Sequence, residues 1–115
     1  MVGARPSRGE VWEVDFGKTR GHEQAGRRPA VVVSASRFNR GAAGLVVVLP
    51  LTTRAKGVPL HVEVEPPEGG VRRRGFVKPE DVRSVSVDRL GRRFGRVSAR
   101  TLVTVESRLR VLLDL

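Results

Sequence analysis

A small, mainly β domain, with its sheet coiled tightly or closed into a barrel and one C-terminal amphipathic helix, is the fold that the sequence predicts. Three observations carry it. Apolar residues recur at period two or in short valine-rich runs, which is strand patterning. Clusters of Gly, Pro, Ser and Asn separate those runs at close intervals. Helical spacing appears only at the end of the chain, so there is no βαβ unit and no Rossmann or P-loop architecture. At 115 residues the chain has the length of one domain, 1–115.

The elements follow in order. Residues 1–8 read as a loose basic tail. In Glu10 to Phe16, Trp12, Val14 and Phe16 share one parity and Glu13 and Asp15 the other, a half-buried strand with Trp12 as a core anchor. Gly17 to Pro29 is a long polar loop. Ala30 to Ser36 is a buried strand, Arg37 to Gly44 an exposed connection, and Leu45 to Thr52 a second buried strand. Pro50 implies that this strand has an edge or bulge near its end. After a loop over Thr53 to Pro59, Leu60 to Glu65 alternates again, with His61 as a partly exposed strand residue. Pro66 to Gly70 is a turn, Gly75 to Lys78 a short strand, and Pro79 opens a single helical turn. Val82 to Val87 and Arg93 to Val97 are the last strands, with a turn at 88–91. Ser98 is an N-cap. Leu102, Val105, Leu109 and Leu112 then define one face of a helix over about 98–113, widened by Val103, Val111 and Leu113. Glu106 and Arg110 stand at i,i+4 spacing for an ion pair.

Composition narrows the function. The chain carries 22 Lys and Arg against 12 Asp and Glu, a net charge of +10, which favours a polyanionic partner. It has no cysteine, which excludes disulfides and thiolate metal sites, and only two histidines, which argues against a metal centre. No cofactor motif occurs. Gly17-Lys18-Thr19 has the end of a P-loop, but Trp12 stands where that motif requires a glycine. His61-Val62-Glu63 resembles the start of a zinc-deaminase signature whose cysteines are absent. There is no G-x-S-x-G elbow. No leader or membrane-spanning run is present, so a soluble cytoplasmic protein is expected. With four Phe, one Trp and no Tyr, recognition by base stacking on aromatic platforms is disfavoured.

The most unusual stretch is 17–60, which holds eight cations (Lys18, Arg20, Arg27, Arg28, Arg37, Arg40, Arg54 and Lys56) and one acid, Glu23. Its loops flank strands that would be neighbours in a small sheet, so they are expected to converge on one face that attracts a phosphate backbone. Glu23 is then either a hydrogen-bond or proton acceptor, or the partner of Arg27 or Arg28 in a salt bridge that orders the loop. The runs Arg72-Arg73-Arg74 and Arg92, Arg93, Arg96, Arg100 read as solvated charge.

The segments Trp12 to Phe16, Gly21-His22-Glu23-Gln24-Ala25-Gly26-Arg27-Arg28-Pro29-Ala30 to Ser34, Asn39, Pro50-Leu51-Thr52-Thr53 and Lys56-Gly57-Val58-Pro59 together resemble the MazF/PemK toxins of type II toxin–antitoxin pairs. The combination E-Q-x-G-x-R-P with a later P-L-T is specific; either half alone is weak. The resemblance implies an SH3-like, strongly coiled antiparallel barrel with short helices, assembled as a homodimer. It implies a growth-regulating mRNA interferase that cleaves single-stranded RNA at a short sequence without metal or other cofactor. The 2′-hydroxyl would attack the adjacent phosphorus, leaving a 2′,3′-cyclic phosphate and a 5′-hydroxyl. By the same resemblance Arg28 and Thr52 are catalytic, with Glu23 as a third member that accepts the 2′-proton. Gln24, Arg27, Asn39, Arg40, Thr53, Arg54, Lys56 and His61 are the expected RNA contacts. The family places no metal here. The implied partner is an acidic antitoxin, through which alone operator DNA would be touched, and no membrane. His22 and Arg54 depart from the residues usual in the family.

Two other functions fit a basic barrel of this kind. One is a non-enzymatic gyrase poison of the CcdB type, which uses a C-terminal tryptophan that this chain, ending Leu112-Leu113-Asp114-Leu115, lacks. The other is an RNA-binding module without catalysis, which has no need of Glu23, Arg28 and Thr52 together.

Overall fold

The structure is a computed structural model that describes residues 5–115. Seven strands form one antiparallel, strongly curled sheet: β1 (Glu10–Asp15), β2 (Arg27–Val32), β3 (Leu45–Thr52), β4 (Val62–Val64), β5 (Gly75–Val77), β6 (Arg83–Ser86) and β7 (Leu90–Arg96). A one-turn helix α1 (Ser36–Asn39) follows β2, and α2 (Ala99–Leu113) ends the chain. Single 3-10 turns stand at Glu68–Gly70, Pro79–Asp81 and Val87–Arg89. The strand order is β4-β5-β3-β2-β1-β7, with β6 also pairing β3.

Strand alternation divides the core into two clusters. Val11, Val31, Leu49 and Leu51 join Val62, Val64, Val77, Val97 and Val105 on one face. Val14, Phe16, Ala30, Val32, Val46, Val48 and Val85 form the other, with Trp12 packed against it. Trp12 is thus the anchor that its parity predicts. The run Ala30-Val31-Val32 is apolar at consecutive positions because it feeds both faces.

Pro50 does not mark an edge. β3 is central, pairing β2 on one side and β6 then β5 on the other. The Pro50 carbonyl accepts from the Lys78 amide at 2.9 Å. A strand residue's N and C=O point to the same side, so the missing N–H of Pro50 faces the place where β3 exchanges β6 for β5. The ladder is interrupted there already.

Helix α2 begins at Ser98, whose hydroxyl accepts from the Thr101 amide at 3.1 Å, and ends at Asp114 in the left-handed conformation (φ 57°). Val105 is fully buried, and Leu102 and Leu109 pack on the first cluster. Val103, Val111 and Leu113 do not widen that face: they are 63%, 70% and 52% exposed. A single stripe meets the sheet, and residues next to it along the chain point about 100° away. Glu106 pairs with Arg8 and not with Arg110.

Of the expected loose tail, residues 1–4 lie outside the described residues, while 6–8 are held. Pro6 is fully buried, the Ser7 amide donates to Glu10 at 2.6 Å, and the Arg8 amide donates to Ser36 Oγ at 2.9 Å. β2 starts at Arg27, three residues before its apolar run, because Arg27, Arg28 and Pro29 register with Asp15, Val14 and Glu13.

Two glycines allow one backbone approach that shapes the site. Gly70 has φ +73°, and a Cβ there would lie 2.0 Å from the Phe94 carbonyl oxygen. A Cβ on Gly95 would lie 2.8 Å from the Gly69 carbonyl carbon and the Gly70 nitrogen. The turn at 68–70 therefore rests directly on β7, and the chain that follows it, 71–74, is delivered beside Arg92 and Arg93. Gly70→Ala should lose more than about 1 kcal/mol of stability, from strain at positive φ and from overlap. Urea denaturation measures this; an unchanged midpoint would show that the approach does not matter.

Candidate active site

The loop from Phe16 to Arg27 is closed at its neck, where Phe16 N donates to Gly26 O and Gly26 N to Gly17 O, each at 2.9 Å. Its tip is tied internally. The Thr19 hydroxyl donates to Glu23 O at 3.0 Å, and the Arg20 amide to the Glu23 carboxylate at 3.3 Å. Glu23 is exposed and orders the tip; its side chain pairs with neither Arg27 nor Arg28.

The two arginines at the exit of the loop separate because consecutive strand residues face opposite ways. Arg27 reaches Glu13 and Asp15, each at 3.9 Å. Arg28 has no carboxylate partner among the described residues, and its Nε–H donates to the Ala25 carbonyl at 3.2 Å. The remaining guanidinium donors of Arg28 are available to an anion. Thr52, at the end of β3, is buried at 7% exposure. Its Oγ1 accepts from the Arg54 amide at 3.2 Å, which leaves the hydroxyl proton to be donated.

Arg28 and Thr52 line the same cavity, of about 560 Å³. Pro29, Leu51, Val71 and Phe94 give it an apolar floor, and Thr53 stands beside Thr52. Arg72, Arg73, Arg92 and Arg93 complete its wall. Arg92 stacks on the Phe94 ring at 5.1 Å. Arg93 donates to Glu10 at 2.6 Å. Burial raises the Glu10 carboxyl, but the Ser7 amide, the Trp12 indole and Arg93 outweigh it and hold the group below the usual carboxylate range. Arg72, Arg73 and Arg92, like Arg28, form no ion pair among the described residues. Four unpaired guanidiniums around one concavity make an anion site.

The sequence offered no sign of this wall. Arg72 and Arg73 look like solvated charge, and so do Arg92 and Arg93, until the contact of Gly69 and Gly70 with β7 brings them together. Arg74 is different: it pairs with Glu63 at 2.9 Å and stacks on Phe76.

The other expected site residues fall elsewhere. Glu23, His22 and Lys56 line a separate cavity of about 390 Å³ with Lys78, Glu80 and Asp81. Gln24 anchors the loop through its backbone: its amide donates to Asp81 at 2.7 Å and its carbonyl accepts from Arg83. Arg40 and Arg54 are exposed and line neither cavity. His61 is not a groove residue. Its side chain is only 4% exposed, and Nε2 lies 2.6 Å from Glu80. Among the described residues no three His, Asp or Glu side chains cluster as a metal-ligand set.

Asn39 also departs from expectation. It is 4% exposed at the end of α1, where its amide donates to the carbonyls of Pro6 and Ser34, both at 3.2 Å, and accepts from the Ser34 hydroxyl. It holds the N-terminal segment to the β2–β3 connection, and it does not line the cavity of Arg28 and Thr52. Asn39→Ala should cost about 1–3 kcal/mol, because it leaves buried carbonyls without donors. Thermal or urea unfolding measures the loss; wild-type stability would contradict the role.

Comparison with known proteins agrees with this architecture. Residues 7–113 match the family described as PemK-like, MazF-like toxin of type II toxin–antitoxin system. The chain is 39% identical to Endoribonuclease MazF9 of Mycobacterium tuberculosis over 113 residues, covering 94% of this chain and 96% of that one. It is 34% identical to Endoribonuclease toxin MazF of Escherichia coli K12 over 109 residues, 94% of each chain. The crystal structure of MazF from Deinococcus radiodurans superposes with a TM-score of 0.86 at 34% identity, covering 97% of this chain and 99% of that one. Its MazE–MazF complex gives 0.80 at 34% identity, over 97% and 98%. With its curled antiparallel sheet, its C-terminal helix and a family match that spans nearly its whole length, this chain belongs to the PemK-like, MazF-like toxins of type II toxin–antitoxin systems.

Proposed function

We propose that this chain is a toxin endoribonuclease that cuts single-stranded RNA at a short sequence, without metal, at the cavity that holds Arg28 and Thr52. One observation carries the reading. A catalytic-type pair, a guanidinium and a hydroxyl with its proton to give, shares a concavity with three further arginines that, like Arg28, have no carboxylate partner among the described residues. Relatives at 34–39% identity over most of the chain are named endoribonucleases, which supports the same chemistry.

In this reading the ribose 2′-oxygen attacks the adjacent phosphorus as its proton passes to water. The bond from phosphorus to the 5′-oxygen breaks, and that oxygen takes up a proton. The products are a 2′,3′-cyclic phosphate and a 5′-hydroxyl. Arg28 presents its fork of donors to the non-bridging oxygens as their charge grows, and Thr52 donates its hydroxyl to the same group. A guanidinium stays protonated at any working pH, so Arg28 stabilises charge and is not the base. Glu23 borders the other cavity, and its role in this reading is to order the loop tip. Arg72, Arg73 and Arg92 hold RNA phosphates next to the scissile one. Thr53, Arg54, Lys56 and Arg40 supply outer contacts.

The same surface suits an acidic antitoxin as the second partner. A Deinococcus MazF and a mycobacterial endoribonuclease are both known in complex with antitoxins, and a chain of net charge +10 is complementary to an acidic tail. A homodimer, DNA contact only through the antitoxin, and a cytoplasmic setting belong to the same reading. Among the described residues no helix is long and apolar enough to cross a membrane.

Mapping of 5′-hydroxyl ends on a mixed RNA pool, in the presence of EDTA, tests the activity. Wild type should cut at one short motif. Arg28→Ala and Thr52→Ala should each lose about 10²–10³-fold in rate, the cost of removing a donor from a developing oxyanion. Glu23→Gln, which keeps an acceptor oxygen, should lose less than about tenfold. Intact RNA with wild type, or full activity in both alanine variants, contradicts the assignment.

The arginine wall has its own signature. Each phosphate contact contributes about −0.7 to the slope of log affinity against log salt for a single strand. Arg72→Ala, Arg73→Ala and Arg92→Ala should each flatten that slope by about one contact and raise KM, with kcat little changed. An unchanged slope in all three removes them from the RNA path.

A further inference from the structure

We infer that Asp81 and Arg83, with the buried Lys78, are positioning residues that brace the loop carrying Arg28 against the strand carrying Thr52. This rests on the endoribonuclease reading, and it assigns roles to three residues that carry no motif in the sequence.

The brace is a continuous chain of contacts. Asp81 accepts the Gln24 amide at 2.7 Å, which fixes the peptide plane between Glu23 and Gln24. Arg83 donates to the Gln24 carbonyl, which fixes the next plane, between Gln24 and Ala25. Ala25 is the residue whose carbonyl takes the Nε–H of Arg28 at 3.2 Å. Two successive peptide planes are thus set by side chains from another part of the fold, and the guanidinium of Arg28 hangs from the plane that follows them, between Ala25 and Gly26. No hydrogen bond of the loop tip at Thr19, Arg20 and Glu23 does this.

The other end of the brace reaches β3. The backbone amide of Lys78 donates to the Pro50 carbonyl at 2.9 Å, two residues before Thr52. Its side chain is 5% exposed, with Nζ 3.4 Å from the His22 carbonyl, 3.5 Å from Gln24 Oε1 and 3.8 Å from Asp81. The segment 78–83 therefore touches the Arg28 loop with three side chains and the Thr52 strand with its backbone. Arg83 is itself fixed: its guanidinium lies 4.3 Å from the Phe16 ring centroid and 4.0 Å from Asp81, and Phe16 closes the neck of the loop.

The geometry is that of a supporting shell, which sets a reacting group to within a fraction of an ångström. Displacement of Arg28 acts on the transition state more than on substrate binding, because the wall of Arg72, Arg73 and Arg92 is untouched. The signature is a fall in kcat with little change in KM.

Three measurements on the full-length protein test this. Asp81→Ala and Arg83→Ala should each lower kcat at least tenfold, with KM for a cleavable RNA oligonucleotide changed less than threefold. Asp81→Asn, which keeps an oxygen for the Gln24 amide, should recover part of that loss. In an Arg28→Lys background, which has charge but no Nε–H to hang from Ala25, Asp81→Ala should cost less than threefold more. A purely stabilising Asp81 would cost the same in both backgrounds, and that outcome overturns the proposal. The third measurement is independent of catalysis: hydrogen exchange at the Gln24 amide should be protected in wild type and Arg28→Lys and at least tenfold faster in Asp81→Ala. Unchanged exchange overturns the brace whether or not RNA is cut. Failure of wild type to cut RNA, with exchange behaving as expected, overturns the endoribonuclease reading and leaves the brace standing as a loop anchor.

Discussion

Positive charge without a partner is the interaction on which the rest of this structure depends. Most of the cations near the cavity are answered. Arg27 meets Glu13 and Asp15, Arg74 meets Glu63, Arg93 and Arg96 meet Glu10, and Lys78 and Arg83 meet Asp81. Among the described residues Arg28, Arg72, Arg73 and Arg92 are not, and they line one cavity. Like charges gathered in a concavity repel, and the fold must hold them there against that repulsion. In the proposed reading an RNA phosphate chain would relieve it, so the arrangement that costs stability in the free protein would favour the bound state.

What holds the arginines is mostly backbone. Arg72 and Arg73 are delivered by a turn whose glycines press directly on β7, where no side chain would fit. Arg28 is delivered by a strand that begins early, under the register of β1, and by a loop pinned at its neck and at Gln24. Thr52 is delivered by a central strand whose proline sits at the one place where the ladder changes partner. Each device spends a residue that is poor at its neighbours' job, a glycine or a proline, to place one that is good at chemistry.

The sequence made the scaffold legible because the scaffold is periodic. The parity of Trp12, Val14 and Phe16, the valine runs at 30 and 45, and Ser98 before the spacing of Leu102, Val105 and Leu109 each rest on a local rule, and an element forms at each, although the strand at 30 ends at Val32 and Ser36 opens α1. Arg28 stands out as part of a basic loop and Thr52 by resemblance, and the fold brings the two to one cavity. The arginine wall was not legible, since its members come from two charge runs that become neighbours only through a backbone contact between distant segments. Asp81 and Arg83 were silent for the same reason: a side chain that grips a peptide 57 or 59 residues away leaves no local pattern. Asn39 and His61 misled in the opposite sense. Polar residues beside basic loops look exposed, yet both side chains are buried: Asn39 is held by the Pro6 and Ser34 carbonyls, and His61 Nε2 meets Glu80, contacts that only the tertiary fold supplies.

The central claim is that one cavity, walled by unpaired arginines, seats the phosphate that is cut. A crystal structure with an RNA whose ribose before the mapped cut lacks its 2′-hydroxyl tests it most directly, because such a strand binds but cannot react. The expected result places the scissile phosphate within hydrogen-bond distance of the Arg28 guanidinium and the Thr52 hydroxyl, with a flanking phosphate on Arg72, Arg73 or Arg92. A scissile phosphate seated instead in the cavity of His22, Glu23 and Lys56, away from Thr52, would contradict the account.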